Sequence, residues 1–408
     1  MQASAGSGLP QIMNGLTGKS SVLLIGAGLF LVSFVFYLLN LLHLSPDFFR
    51  GGGPFLGADT FDITKAMRVP TFHYDMKRHL LFSVVTESLV DVVGLVFRLT
   101  EDLAIIVSLA LMSAVNVTFA WLVLWRFATS MALATALAVT YGLFFSNIIF
   151  FSIPETYTLS NLFIIAYFAL LLLIRNERSM ASAAILGAAA GAAGLFNPTL
   201  LSLSLVGFLY QWRWSEMKQG IAYGFVTLLV ALVVCGVPYL YVHGMGYVEF
   251  VSDYTNQWAS LNNLLEVDKY AMVGAGFLLY SVVTPLTSLT KVVTLDELAG
   301  YLSDPLALVT LVAYVAFVIL ASGRAIRESD RLVIPVLAWT GVMLLFFIYF
   351  NPGEALLYSS QILFPLVLLA ARGLAVTSLS DRFKTGLIAG FAFLLALNNI
   401  PVLYSPFQ

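Results

Sequence analysis

The stretch from Ser20 to His43 reads SSVLLIGAGLFLVSFVFYLLNLLH, and its 24 residues include no Asp, Glu, Lys or Arg. A membrane-spanning helix needs about 20 predominantly apolar residues, so this stretch is long enough to cross a bilayer. Residues 1–19 are rich in Gly and Ser and lack the charged start and the cleavage site of a signal peptide. We therefore expect residues 1–19 to form a cytoplasmic tail and 20–43 to be a retained membrane anchor.

The whole chain, like this stretch, is rich in apolar residues and poor in charged ones. Of the 408 residues, 60% are hydrophobic and 10% are charged, whereas a soluble domain carries roughly 25% charged residues. An ordinary core cannot hide so much apolar surface from water, so lipid must surround much of it. Cys235 is the only cysteine, which excludes a disulfide framework. The chain lacks the kind of basic tract that indicates a nucleic-acid partner.

The apolar pattern predicts an all-α polytopic membrane protein with about 11 transmembrane helices. Asn197-Pro198 interrupts one long apolar region, because proline removes a backbone donor. We expect a tight hairpin at this dipeptide; a single kinked helix is the alternative. The predicted spans are 20–43, 101–126, 128–150, 157–174, 182–196, 199–211, 219–243, 305–323, 333–350, 359–372 and 385–403.

The distribution of charge predicts the orientation. With the hairpin, 12 of the 20 Lys and Arg residues fall in short loops on one side, which the positive-inside rule assigns to the cytoplasm. On the other side lie 17 of the 22 acidic residues and all four histidines. We therefore expect the N-terminus inside and the C-terminus outside, in the cytoplasmic (inner) membrane of a prokaryote. The 12 cytoplasmic cations are Lys19, Arg126, Arg175, Arg178, Arg213, Lys218, Arg324, Arg327, Arg331, Arg372, Arg382 and Lys384.

Two large external segments, 44–100 and 244–304, interrupt a single transmembrane domain that we assign to residues 20–408. The first contains an amphipathic pattern at 81–98, with acidic and basic residues on one helical face and Leu, Val and Phe opposite. That pattern predicts a helix lying on the membrane surface. The second contains the apolar stretch 271–289, which we interpret as interfacial or re-entrant.

The first external segment holds most of the reactive side chains. Asp59 and Asp62 are three residues apart and share a face if the chain is helical there. Each is a candidate general base, although Asp59 is also suited to cap a helix that begins at Thr60. Asp47 follows a proline and is either a third candidate base or a turn residue.

Cations and histidines follow these carboxylates. Arg68, Lys77 and Arg78 are candidate phosphate contacts, with cations that extend to the membrane surface as the alternative interpretation. His73, Asp75 and His79 together are a possible set of metal ligands, but their spacing matches no specific metal motif. A solvated loop is the simpler interpretation of all of them.

Three later stretches add polar groups on the same side. Glu155 and Glu354 each follow a proline at a helix start, where the helix dipole favours an anion. Each is either a cap or a group that points into an external cavity. The segment 244–270 interleaves Trp258 and several tyrosines with carboxylates, which is typical of an interfacial aromatic belt or of a surface that stacks on sugar rings.

Taken in order, four short stretches resemble the GT-C superfamily of integral-membrane glycosyltransferases. The likeness covers most of the chain in its layout, but each motif is loose, and Leu80 replaces the usual proline of one of them. The stretches are Gly57-Ala58-Asp59-Thr60, Arg78-His79-Leu80-Leu81-Phe82, Pro154-Glu155-Thr156-Tyr157, and Asn351-Pro352 through Leu357-Tyr358-Ser359.

The resemblance implies an enzyme that moves a sugar from a polyprenyl-phosphate carrier to a lipid, glycan or protein acceptor outside the cytoplasm. It places Asp59 first as the general base, with Asp47 and Asp62 as alternates. Cationic groups or a divalent metal ion, Mg²⁺ or Mn²⁺, would stabilise the leaving phosphate. The residues assigned to phosphate are Arg68, Lys77, Arg78 and His79, and those assigned to the substrates are His73, Asp75, Glu155, Tyr157, Trp258, Glu354 and Tyr358.

Two other functions are compatible with the sequence. A transporter or flippase of lipid-linked sugars should have binding groups near the bilayer midplane, yet no charged residue falls in the middle of any predicted span. An inactive GT-C-like assembly subunit should tolerate the loss of every carboxylate in the first external segment.

Overall fold

The computed structural model describes residues 16–49, 60–68, 79–174, 177, 179–212, 214–244, 259–285, 298–328 and 330–404. Within these residues the chain is all helical and contains no strand, as the sequence predicts. The α-helices are α1 (Leu16–Phe49), α2 (Thr60–Arg68), α3 (Phe82–Phe97), α4 (Glu101–Trp125), α5 (Met131–Leu143), α6 (Phe145–Phe150), α7 (Tyr157–Leu173), α8 (Met180–Phe196), α9 (Leu203–Gln211), α10 (Met217–His243), α11 (Val267–Ala275), α12 (Gly300–Ser303), α13 (Pro305–Arg327), α14 (Val333–Phe350), α15 (Ala355–Tyr358), α16 (Ser360–Ala375) and α17 (Asp381–Leu403). Short 3₁₀ turns occur at Pro198–Ser202, Trp214–Glu216, Leu261–Leu265 and Pro352–Glu354, and a π turn at Gly276–Tyr280.

Six helices in the described part of the chain are long and apolar enough to cross a membrane, and a seventh is possible. The six are α1, α4, α10, α13, α14 and α17. The seventh would join Pro352–Tyr358 to α16 across a bend of 57°. The predicted count of 11 spans is therefore too high by this measure. The stretches predicted at 128–150, 157–174, 182–196 and 199–211 form shorter helices of at most 17 residues, at or below the length that crosses a hydrocarbon core of about 30 Å.

Several helix ends meet at what we call the basic end of the bundle, which comprises residues 125–131, 327–328, 330–333 and 372–384. The Arg372 guanidinium pairs with the Asp330 carboxylate, with its Nε 2.7 Å from Oδ2, and lies over the Phe127 ring at 5.3 Å. Thr129 donates a hydrogen bond to Asp381. These contacts join three separate connections between helices.

The opposite helix ends form what we call the acidic end. Here the Tyr404 hydroxyl donates to Asn40 Oδ1 at 2.8 Å, joining the last described residue to α1. The backbone N–H of Ser260 donates to the Tyr349 carbonyl at 3.0 Å. The acidic end comprises the described residues within 40–49, 60–68, 79–102, 150–158, 195–199, 239–244, 259–285, 298–305, 349–361 and 404.

The chain turns back on itself at Asn197-Pro198, as the hairpin prediction requires. The Asn197 side chain caps the 3₁₀ turn by accepting a hydrogen bond from the Thr199 backbone N–H at 3.1 Å. Beyond the turn, a Cβ placed on Gly207 would lie 3.2 Å from the Leu186 side chain. Residues 186 and 207 would be about 30 Å apart along one continuous helix, so α8 and α9 run antiparallel.

A helix break at Phe144 divides the predicted span 128–150 into α5 and α6. Phe144 has extended backbone angles (φ −60°, ψ 138°), so the last carbonyls of α5 lose their helical partners. Distant side chains replace them: the Tyr37 hydroxyl donates to Gly142 O at 3.0 Å, and Asn399 Nδ2 donates to Leu143 O at 2.9 Å. The break is therefore stabilised by α1 and α17, because a buried carbonyl without a donor is costly.

Within the apolar stretch 271–289, the structure describes residues up to 285. After the π turn, residues 281–285 are buried and non-helical. Asn399 Nδ2 donates to Val282 O at 2.7 Å, Asn398 Nδ2 donates to Thr284 O at 2.9 Å, and the Tyr301 hydroxyl donates to Val283 O. Irregular backbone at membrane depth is tolerated where protein groups satisfy it. These hydrogen bonds meet that condition, and the interpretation of the stretch as interfacial or re-entrant stays a prediction.

Helix α3 has three distinct faces. Phe82, Val90 and Val93 are buried against the bundle, whereas Val92 and Val96 are exposed apolar residues. Between these faces runs a polar stripe that contains Glu87 and Asp91. Such a pattern is typical of a helix at a membrane surface, with one side on protein, one in lipid and one in water.

Candidate functional site

Helix α2 carries the only predicted base whose side chain lies in the described part of the chain. Asp62 is in the first turn of α2, where the helix dipole favours a carboxylate. Ile63 and Met67 are buried on the opposite face, because α2 is amphipathic. Asp59 immediately precedes α2 and lies outside the described residues. The backbone of α1 includes Asp47, whose side chain is likewise outside the description.

Arg68 makes an ion pair, in addition to being a predicted phosphate contact. It is the last residue of α2, and its Nη2 donates to Asp102 Oδ1. Its Nε lies 3.9 Å from Glu101 Oε2. Both acids are in the first turn of α4, so each charge complements the dipole of its own helix. Lys77 and Arg78 lie outside the described residues.

His79 is fixed at the junction between α3 and the end of α8. Its Nδ1 lies 2.6 Å from the Phe196 carbonyl oxygen. A carbonyl only accepts, so Nδ1 carries the proton in this contact. The backbone N–H of Leu80 donates to the Tyr239 hydroxyl at 3.3 Å, and that of Leu81 donates to Leu195 O at 3.2 Å. These bonds tie residues 79–81 to α8 and α10.

Two loops that are about 200 residues apart in sequence meet at the acidic end. The Tyr157 and Tyr358 rings pack edge to face at 5.9 Å. Glu155 is only 5% exposed, and its Oε2 accepts a hydrogen bond from the Thr156 backbone N–H at 2.6 Å. Across the contact, Asn351 Nδ2 donates to Glu354 Oε2 at 2.8 Å. Four of the predicted substrate residues therefore belong to one pair of touching loops.

Helix α4 supports the first of these loops through residues that the sequence did not single out. Ser113 Oγ donates to Phe151 O at 2.8 Å. Asn116 Nδ2 donates to Thr158 O, also at 2.8 Å. Polar residues in the middle of the apolar span 101–126 were the available signal, because a buried amide in a membrane helix needs a partner.

The remaining predicted ligands fall outside the described residues: His73, Asp75 and Trp258. Among the residues that the structure does describe, no group of three or more His, Cys, Asp or Glu is placed to hold a metal ion. The predicted set of His73, Asp75 and His79 therefore remains a prediction. Chemically, the described part of the site offers one carboxylate on α2, and two carboxylates and two phenol rings at the touching loops.

Comparison of the sequence with protein-family models finds no match, and comparison with curated proteins finds none either.

Proposed function

We propose that this chain is an integral-membrane glycosyltransferase that takes a sugar from a polyprenyl-phosphate carrier. The observation that carries the proposal is the contact between Tyr157 and Tyr358. It brings the Pro154-to-Tyr157 stretch against the loop that ends in Leu357-Tyr358-Ser359, and both stretches are part of the GT-C resemblance. A third such stretch, around His79, lies at the same end of the bundle.

In the proposed reaction, an acceptor hydroxyl attacks the anomeric carbon of the sugar. The bond between that carbon and the phosphate oxygen breaks, and polyprenyl phosphate leaves with the bonding electron pair. The proton of the hydroxyl passes to a carboxylate, with Asp59 as the first candidate and Asp62 and Asp47 as alternates. Lys77, Arg78 or a divalent metal would stabilise the charge on the leaving phosphate.

The proposal also includes a location. We place the acidic end on the non-cytoplasmic side of the inner membrane of a prokaryote, with the N-terminus inside and the C-terminus outside. The carrier lipid would reach the site from the bilayer, and the acceptor lipid, glycan or protein from the water outside. Helix α3, with its lipid-facing and polar faces, is suited to lie at that boundary.

Transfer from a panel of polyprenyl-phosphate sugars tests the proposal. We expect the wild-type protein in lipid nanodiscs to transfer at least one sugar, and one of Asp47→Asn, Asp59→Asn and Asp62→Asn to lower kcat by about 10² to 10⁴-fold, the usual contribution of a general base. Asp381→Asn, at the basic end, is the matched control. Full activity in all three variants would contradict the assignment of the base. Binding or transport of the donors without transfer would contradict the enzyme.

A further inference from the structure

We propose that the ion pair between Arg68 and Asp102 positions helix α2, and with it the Asp62 carboxylate in its first turn. Arg68 is then a positioning residue and not a ligand of the donor phosphate. This inference rests on the proposed function for its effect on rate, but its geometric part does not depend on it.

The pair joins the end of one helix to the beginning of another. Arg68 is the last residue of α2, and Asp102 is the second residue of α4. The guanidinium contacts Asp102 directly, and Glu101 contributes a second carboxylate at 3.9 Å. A cation is favoured at a helix C-terminus and an anion at an N-terminus, so the dipole of α2 stabilises the charge of Arg68 and the dipole of α4 stabilises that of Asp102.

The pair adds a directional contact to the packing that sets which face of α2 is buried. The nine residues of α2 are about 14 Å long, and the hold of α2 on the bundle comes from buried apolar side chains such as Ile63 and Met67. Apolar burial is non-directional. An arginine–carboxylate contact has a defined geometry, so it selects one rotation. That rotation determines where Asp62 points.

A phosphate ligand and a positioning residue make different predictions for Asp102. If Arg68 binds the donor phosphate, neutralising Asp102 frees the guanidinium, and the KM for the donor should fall or stay constant with kcat preserved. If the pair positions α2, the same substitution should misplace the base. A misplacement of about 1 Å can lower a rate by about 10²-fold, so kcat should fall while the KM for the donor stays within about twofold.

The kinetic test compares Asp102→Asn and Asp102→Glu with the wild-type protein in nanodiscs, using the polyprenyl-phosphate sugar that it transfers. We expect a fall in kcat of about two- to fivefold for Asp102→Asn, in line with the small free energy of an exposed ion pair, and recovery to near the wild-type value for Asp102→Glu, which keeps the charge. Asp330→Asn is the matched control, since it breaks an Arg–Asp pair at the basic end. A preserved kcat in Asp102→Asn would overturn the inference.

A second measurement needs no activity. Phe61 is exposed on α2, so Phe61→Cys gives a site for a maleimide reagent, while Cys235 is buried. We expect Asp102→Asn to change the labelling rate of this cysteine by about twofold or more, and Asp330→Asn to leave it unchanged. Equal rates in all three backgrounds would overturn the inference. If the wild-type protein transfers no sugar, the proposed function fails while this measurement still decides whether the pair positions α2.

Discussion

The two ends of the bundle each contain an Arg–Asp ion pair, but the surroundings of the two pairs differ. At the basic end, Arg372 contacts Asp330 through two nitrogens and lies over Phe127. The Asp330 side chain is 11% exposed, whereas that of Asp102, at the acidic end, is 54% exposed. The first pair joins short connections between helices, and the second joins a short helix to the bundle.

The difference indicates a division of roles between the ends. The basic end has short connections, and its polar groups bond to one another. At the acidic end the backbone leaves regular helix at residues 281–285 and between α14 and α16, and a further break lies close by at Phe144. Buried amides and hydroxyls satisfy that irregular backbone. We infer that the basic end mainly stabilises the bundle and that the acidic end arranges side chains for chemistry.

The largest expected effect tests the close packing near the basic end. A Cβ on Gly373 of α16 would lie far inside contact distance of the Ala321 backbone carbonyl on α13. Gly373→Ala must therefore separate the two helices, which we expect to cost about 3 kcal/mol. The control is Gly341→Ala on α14, where a Cβ meets no atom within 4 Å. Thermal unfolding in detergent should show a large fall in Tm for the first variant only; equal Tm values would contradict the close approach of α13 and α16.

The next effect tests the irregular backbone at the acidic end. Asn399 donates to Leu143 O and to Val282 O. Asn399→Ala leaves the Leu143 carbonyl buried without this donor, at an expected cost of about 2 kcal/mol. The exposed residue Asn262 gives the control, Asn262→Ala, which we expect to be near neutral. If hydrogen exchange around residues 281–285 is unchanged in Asn399→Ala, then α17 does not hold these residues.

The third, smaller effect compares the two ion pairs by the stability that each one contributes. We expect Asp330→Asn to cost about 1.5 kcal/mol, because it removes hydrogen bonds to a charged group, and Asp102→Asn to cost about 0.5 kcal/mol, because that pair is more exposed. The order should reverse for the transfer rate, which Asp102→Asn alone should lower. Unfolding midpoints and kcat measured on the same preparations check both orders, and a parallel loss of stability and rate in both variants would remove the distinction between the ends.

The smallest effect concerns Glu87 on α3. Partial burial and the neighbouring Asp91 carboxylate raise the pKa of Glu87 above its ordinary value. The ionised form is therefore less favourable in the folded protein, and this loss of stability is present above the folded pKa and disappears as the pH falls through it. Glu87→Gln should raise Tm slightly at neutral pH and leave it unchanged at acidic pH. A lower Tm of Glu87→Gln at neutral pH would contradict the prediction, because the ionised carboxylate would then stabilise the folded protein.

Some of this architecture could be predicted from the sequence, because local physics determines it. The apolar stretches predict the long helices α1, α4 and α13. Every predicted end lies within four residues of the observed one, except the C-terminal end of α1, and Pro198 marks the hairpin. The number of spans could not be predicted in the same way. The stretch 128–150 is apolar throughout, and its break at Phe144 depends on Tyr37 and Asn399, which are more than 100 residues away.

For the candidate site, the sequence predicts individual residues but not the contacts between them. The Pro154-to-Tyr157 and Asn351-to-Ser359 stretches each place an acid at a helix start, which the sequence shows, but their contact through Tyr157 and Tyr358 is tertiary. The charge of Arg68 alone favours a phosphate contact. Only the packing of α2 against α4 reveals Asp102 as its partner. Ser113 and Asn116 lie within an apolar span, and a local pattern does not show their hydrogen-bond partners, Phe151 and Thr158.

The division of roles between the two ends requires them to face opposite compartments, with the acidic end outside the cytoplasm. Single cysteines at Phe61 on α2 and at Arg327 on α13 report on the two ends, since both side chains are exposed. We expect a membrane-impermeant maleimide to label Phe61→Cys in intact cells, and Arg327→Cys only after the membrane is permeabilised. Labelling of both cysteines in intact cells, or of Arg327→Cys alone, would contradict the account.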